Sequence, residues 1–225
     1  KHPERRHFTP LTMPIPPAGA APAAWLALAS IPGLGPDAAR KLLQALGSPE
    51  NVLAASVATL TPLVGSKLSQ SIVDTESGDK VEAGLRWLEA PENHLLTWAD
   101  EDYPQRLLEI GDPPFVLYLK GRRELLGNTA IGIVGSRNAT PGGVQLAEAF
   151  AESLSQEGLT IVSGMAMGID AAAHTGGLKG RGSTIAVVGT GLDLVYPARN
   201  RALAHRLAES GLIVSEFHLA TPAMD

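Results

Sequence analysis

The second part of the chain alternates between short runs almost bare of polar side chains and stretches with apolar residues at helical spacing. Thr129–Val134, Leu159–Val162, Thr184–Val188 and Leu212–Val214 are the apolar runs, and Val144–Leu154, Ile169–Leu178 and Asn200–Ala208 separate them. In Val144–Leu154 the residues Leu146, Ala147, Phe150, Ala151 and Leu154 form the side expected to be buried. Continuous apolar strands, each followed by a helix, predict an α/β fold with a parallel sheet and helices on both faces. Right-handed crossovers bring every strand's carboxyl end to one edge, and in such sheets the ligand crevice lies on that edge.

The first part reads differently. Residues 1–24 carry Pro10, Pro14, Pro16, Pro17 and Pro22 among Ala and Gly, which predicts an extended tail. Residues 25–91 are helical in pattern. An apolar stretch from Trp25 ends at Ile31-Pro32-Gly33-Leu34-Gly35-Pro36, and Ala38, Ala39, Leu42, Leu43 and Leu46 then recur at helical spacing until Gly47. Further helical pieces are predicted at Asn51–Ala55, at Thr61–Val73 with Pro62 near its start, and at Lys80–Leu88. Ile31–Gly35 resembles the hairpin of a helix-hairpin-helix unit, whose backbone N–H groups can meet a phosphate; a plain packing corner uses the same residues. Residues 92–225 form the expected second domain, in which Phe115–Leu119 is a strand following Asp112-Pro113-Pro114.

Composition removes several chemistries. The 225 residues include no cysteine, so disulfides, thiolate metal sites and Cys nucleophiles are excluded. No apolar run approaches the roughly 18–20 residues needed to span a bilayer, and a cytoplasmic protein is the expectation. The net charge of −5 is spread over both parts: residues 1–130 hold 12 basic and 15 acidic side chains, residues 131–225 hold 6 and 8. Neither part is a cationic block suited to duplex DNA, which leaves room only for a local pocket with a few arginines.

Four loops collect at the carboxyl edge. They are Gly135–Gly143, Ser163–Asp170, Gly189–Arg201 and Ser215–His218. Their glycines let backbone N–H groups approach an anion, and Ser136, Ser163 and Thr190 add hydroxyls. Arg137, Arg199 and Arg201 bring guanidinium groups, which can donate two hydrogen bonds to one phosphate. The dinucleotide pattern G-x-G-x-x-G fails at Gly132–Arg137 and again at Gly189–Leu194, and there is no Walker lysine motif. Phosphate recognition is the expectation, with NAD and ATP disfavoured and a nucleotide left open.

An ordered set of motifs sharpens this. Tyr103-Pro104, Asp112-Pro113-Pro114, Leu117-Tyr118, Lys120-Gly121, Ile133-Val134-Gly135-Ser136-Arg137 and Ser163-Gly164-Met165-Ala166-Met167-Gly168-Ile169-Asp170 are followed by Ala173-His174, Thr184–Asp193, Tyr196-Pro197, Asn200 and Ser215-Glu216. Over about 120 residues these resemble the DprA/Smf family of DNA-processing proteins, and the helical part is similar to its SAM-like or helix-hairpin-helix domain. The resemblance implies an extended Rossmann-like domain and a role in natural transformation: binding incoming single-stranded DNA, protecting it and loading RecA. It also implies a homodimer without enzymatic activity, metal or cofactor. Carried over residue by residue, the implied DNA site is Gly135, Ser136, Arg137, Ser163, Gly164, Gly168, Gly189, Thr190, Gly191, Arg199 and Arg201. The family's pattern continues past Ser215-Glu216 with a Phe-Pro-x-Arg-Asn-Arg segment in the region of its dimer and RecA contacts, whereas the sequence here ends at Asp225.

Other readings of single residues stand beside these. Arg137 could instead cap the sheet edge or pair with Asp170. Asp170 and His174, four apart on one helix, are the beginning of a metal pair or, with Ser163, of a hydrolytic trio, but a helix-start carboxylate and an ordinary polar helix residue are the plainer expectation. Tyr196 suits stacking on a base as well as wedging against Pro197. Trp25, Trp87 and Trp98 read as packing. The second functional reading is a Rossmann-like enzyme acting on a nucleotide phosphate, of phosphoribohydrolase type, with Asp170, His174 and Glu216 as acid–base groups. The third is a scaffold that binds only protein partners.

Overall fold

A computed structural model describes residues 21–223, which divide into two units that interleave in sequence: residues up to 78 with 97–115, and 79–96 with 116 onward. Most of the tail expected over residues 1–24 lies outside the described residues.

The first unit holds five short helices: α1 (Pro22–Ala29), α2 (Pro36–Leu46), α3 (Pro49–Ala54), α4 (Val57–Val64) and α5 (Ser66–Asp74). Three of them begin on a proline, whose missing N–H is no loss in a first turn. Ser48 and Ser56 cap α3 and α4 by accepting from Asn51 N at 3.3 Å and Thr59 N at 3.2 Å. Trp25, Leu26, Leu28, Leu42 and Leu60 are fully buried between them. Within this unit Trp98 packs edge-on against Phe115, and the Arg40 guanidinium lies over the Trp98 ring at 5.7 Å. The single helix predicted over Thr61–Val73 is two helices. They are separated at Gly65, and Pro62 lies inside α4 rather than at a start. In so short a helix the proline displaces little of the hydrogen-bond ladder.

The second unit opens with α6 (Gly78–Trp87) and builds a six-stranded sheet. Its strands are β1 (Asn93–Thr97), β2 (Val116–Gly121), β3 (Ala130–Gly132), β4 (Thr160–Ser163), β5 (Thr184–Val187) and β6 (Leu212–Ser215), in the spatial order β1-β2-β6-β5-β4-β3. The predicted parallel strands are β3 to β6, in register through Ile131 with Ile161, Ser163 with Ala186 and Val187 with Val214. β2 runs antiparallel to β6, so the sheet is mixed. β1 falls where sequence showed only a connection.

Crossover helices α7 (Pro141–Gln156), α8 (Ile169–Gly177) and α9 (Arg201–Ser210) link the parallel strands. Each crossover steps to the next neighbour in the same direction, so right-handedness stacks all three on one face, where α8 touches both α7 and α9. Ala151, Ile161 and Ala173 form the core beneath them, with Ile133 and Leu154 packed alongside. Gly176 lets α7 and α8 meet backbone to backbone, since a Cβ there would lie 2.1 Å from the Glu148 carbonyl oxygen. Lys179 then reaches back to Glu148 and Glu152 at 2.7 and 2.9 Å.

Two of the α7 residues expected inside are outside: Leu146 and Phe150 are 70% and 56% exposed. They lie on the flank of α7 away from α8, and every residue of the edge strand β3 is exposed as well. An edge strand has one neighbour, and its apolar run is not covered on both faces as an inner strand's is.

Candidate nucleic-acid interface

Because β3 to β6 are parallel, the segments that follow them meet at one edge. The first loop is held by backbone contacts to the second. Ser136 O accepts from Ile169 N at 3.2 Å, and Gly135 lies against the Ile169 side chain. Gly168 makes this approach feasible. Its φ is +82°, and a Cβ would lie 2.2 Å from Ser136 O. Ser136 Oγ accepts from Asn138 N at 3.1 Å, rounding the turn that presents Arg137 to solvent.

The second loop leaves β4 at Ser163, whose hydroxyl is buried and donates inward to Ile133 O at 2.6 Å. That hydroxyl braces β3 against β4 and lies beneath the crevice. The third loop is tied to the second by Asn200, whose side-chain amide donates to Met165 O at 2.8 Å and Ala166 O at 3.3 Å. Thr190 O accepts from Ser215 Oγ at 2.7 Å, Gly191 N donates to Thr221 O at 2.9 Å, and the Asp193 carboxylate accepts from Ala220 N. Gly191 is therefore an internal hinge of the third loop, while Gly189 faces outward.

Between these loops is a cavity of about 340 Å³. Arg137 stands on one side, Gly164 and Met165 on another, and Gly189, Thr190, Tyr196 and Pro197 on the third; Met167, Asp170 and Val187 complete it. A neighbouring cavity of about 610 Å³ shares Thr190 and Tyr196 and adds Arg201 and His205. Of the residues singled out in sequence, Arg137, Gly164, Gly189 and Thr190 come together around the first cavity, and Arg201 lines the second. Gly135, Ser136, Gly168 and Gly191 build the frame, Ser163 lies below, and Arg199 is exposed without lining either cavity.

Arg137 is the cation of the first cavity and Asp170 its carboxylate, an acidic member that the list of anion-binding residues lacked. Met165, Met167 and Val187 were also missed; apolar residues in a glycine-rich loop carry no periodic signal. Tyr196 is 54% exposed and stands between the two cavities. His174, expected as an ordinary polar helix residue, is turned wholly inward. It is fully buried, with Nδ1 2.7 Å from Thr184 Oγ1 and Nε2 2.5 Å from Gly164 O. Burial holds its pKa below the ordinary value, against the opposing pull of the Gly164 carbonyl and the Asp170 carboxylate. Both ring nitrogens are engaged, so the hydrolytic and metal readings of Asp170 and His174 lose their histidine. Among the described residues no group of three His, Asp or Glu side chains is placed to hold a metal. Nor is any helix among them long and apolar enough to cross a membrane.

Residues 94–225 match the family model described as DNA recombination-mediator protein A, and residues 26–75 match a SAM-like helix-hairpin-helix tandem. Protein Smf of Synechocystis is 40% identical over 199 residues, which is 86% of this chain and 50% of that protein. The DNA processing protein DprA of Streptococcus pneumoniae is 43% identical over 118 residues, 52% of this chain and 42% of that one. The chain thus spans half or less of the length of these curated relatives. Among solved structures, that of Streptococcus pneumoniae DprA superposes with a TM-score of 0.74 at 28% identity, covering 92% of this chain and 71% of that one. DprA of Helicobacter pylori, described for its single-stranded DNA binding mode, superposes with a TM-score of 0.53 at 31% identity over 60% of each chain. With more than half of its residues matched by one family model and its fold shared with a solved member, the chain belongs to the DNA recombination-mediator protein A family.

Proposed function

We propose that this chain binds single-stranded DNA along the carboxyl edge of its sheet, as a recombination mediator without catalysis of its own. The observation that carries the reading is the convergence of Arg137 with Gly164, Gly189 and Thr190 around one cavity. A guanidinium and outward-facing glycine backbone suit a phosphate at any base, so binding is backbone-centred and sequence-tolerant. Tyr196, between the two cavities, offers a surface for one unpaired base. Arg201 serves the next phosphate, and Arg199 contributes only to the surrounding field. Ser136, Gly135, Gly168 and Gly191 act by shaping the loops, and Ser163 by bracing the strands beneath. The Helicobacter pylori relative, described as binding single-stranded DNA, supports single-stranded DNA as the ligand.

In the full role, the protein is a cytoplasmic homodimer that protects incoming single strands and hands them to RecA. These finer assignments rest on family membership. RecA filament assembly on a single strand, followed with and without the chain, tests the loading step.

The central test is anisotropy of labelled oligo-dT at two salt concentrations. The parent is expected to bind in a salt-sensitive manner and to prefer single strands to duplex. Arg137→Ala is expected to weaken binding and flatten the salt dependence by about one unit of slope. Equal binding by parent and variant would sink the site assignment. One observation favours a second reading, the nucleotide-phosphate enzyme: Asp170 lines the same cavity as Arg137. Incubation with nucleoside monophosphates decides it, since release of a base or sugar phosphate would establish turnover.

A further inference from the structure

A fully buried histidine lies directly beneath the cavity, and the binding role above makes no use of it. His174 sits one helical turn after Asp170 on α8, between that helix and the ends of β4 and β5. Burying an imidazole is costly unless its nitrogens are paired, and here both are. Gly164 O can only accept, so Nε2 carries the proton. Thr184 Oγ1 lies 2.7 Å from both Nδ1 and Ile161 O, and its one hydroxyl hydrogen serves these two acceptors in turn. Asp170 is the titratable group that faces the ring; α7 presents Ala151 to the shared core, and β4 and β5 present Ile161 and Thr184.

The consequence lies in the peptide that follows Gly164. In a trans peptide, C=O and N–H point in opposite directions. With the Gly164 carbonyl turned onto His174, the Met165 N–H points away from the ring, and Gly164 and Met165 both line the cavity. That N–H finds no acceptor among the described residues. Were the peptide to flip, a carbonyl oxygen would replace it and present negative charge to an incoming phosphate.

Resting on the binding role above, we propose that His174 is a positioning residue for the phosphate cavity: its Nε2–H fixes the Gly164–Met165 peptide so that a backbone donor, not an acceptor, faces the DNA strand. The role belongs to one ring nitrogen. Nε2 sets the peptide, whereas Nδ1 only anchors the ring to β5.

Two substitutions separate the nitrogens. Glutamine carries an amide N–H at the same bond distance as Nε2, and asparagine only at the distance of Nδ1. With labelled oligo-dT, His174→Gln is expected to bind within about twofold of the parent, and His174→Asn about tenfold more weakly, the loss of one buried hydrogen bond. Melting temperatures are recorded alongside. Thr184→Val provides the reverse control, because it removes the Nδ1 partner and leaves Nε2 in place. It is expected to lower the melting temperature while keeping the affinity, and remains informative if His174→Asn does not fold. Equal affinities for the Gln and Asn variants, whether both strong or both weak, would overturn the proposal, as would a loss of affinity in Thr184→Val. If the parent itself does not bind oligo-dT, the binding role fails first.

Discussion

The Asn200 side-chain amide donates to Met165 O at 2.8 Å from a position 35 residues further along the chain. It thereby joins the loop after β5 to the loop after β4, and both line the cavity that holds Arg137. Asn200→Ala leaves two carbonyls without this donor and is expected to cost about 1–3 kcal/mol, read by urea denaturation. Asn200→Asp replaces the donor by an acceptor facing two carbonyls, and is expected to be worse both in stability and in oligonucleotide affinity. An Asp variant as stable as the Ala variant would argue that the amide does not bridge the loops.

Gly168 is a stricter test of the loop frame. Its φ of +82° and the 2.2 Å approach of a hypothetical Cβ to Ser136 O act together. Gly168→Ala should lose more than about 1 kcal/mol, because strain and collision both oppose it. It should also displace the Arg137 turn, so that affinity falls further than stability alone explains. Chemical denaturation and anisotropy on the same variant check both.

The two arginines after Tyr196-Pro197 are predicted to differ. Arg201 lines the second cavity and Arg199 does not. Arg201→Ala is expected to lower the salt slope of binding by about one unit, as a lost phosphate contact does, and Arg199→Ala by clearly less. Slopes measured over a range of salt concentrations distinguish them. The reverse order would move the strand's path to the other side of α9.

Acid should destabilise the fold through His174. Burial, the largest influence, lowers its folded pKa below the ordinary value of 6.5. The unfolded chain therefore takes up the proton first. The stability contributed by neutral His174 is fully present above pH 6.5 and is lost progressively as the pH falls from there toward the folded pKa. Melting temperature should fall between pH 7.5 and pH 5.5, and His174→Gln should shrink that fall. An unchanged pH profile in the variant would show that His174 is not the source of the fall.

Much of the site was readable before any fold was known. Four apolar runs, three of them followed by glycine-bearing segments, dictate one carboxyl edge, and Arg137 follows directly from the first of these runs. What periodicity could not convey is direction. Helical spacing says that α7, α8 and α9 cross over, but only the neighbour-by-neighbour strand order places them on one face. The same limit explains Leu146 and Phe150, which have the spacing of a buried stripe but lie on the flank of α7 away from α8. Ser163 and His174 show a second limit. A polar residue in a glycine-rich motif reads as a ligand contact or as ordinary surface, whereas both are spent inside the fold, on Ile133 O and Gly164 O. Whether a hydroxyl or imidazole points to solvent or inward depends on contacts made 30 residues away in one case and 10 in the other.

The backbone contact between α7 and α8 at Gly176 has a consequence for binding kinetics. The loop bearing Arg137 runs into α7, and the loop bearing Gly164 runs into α8, so both are mounted on one stiff platform. Their donors are preorganised, and capture of a strand needs little ordering of the protein. Encounter rates should then be governed by diffusion and charge, leaving differences among cavity variants to show mainly in how long the strand stays.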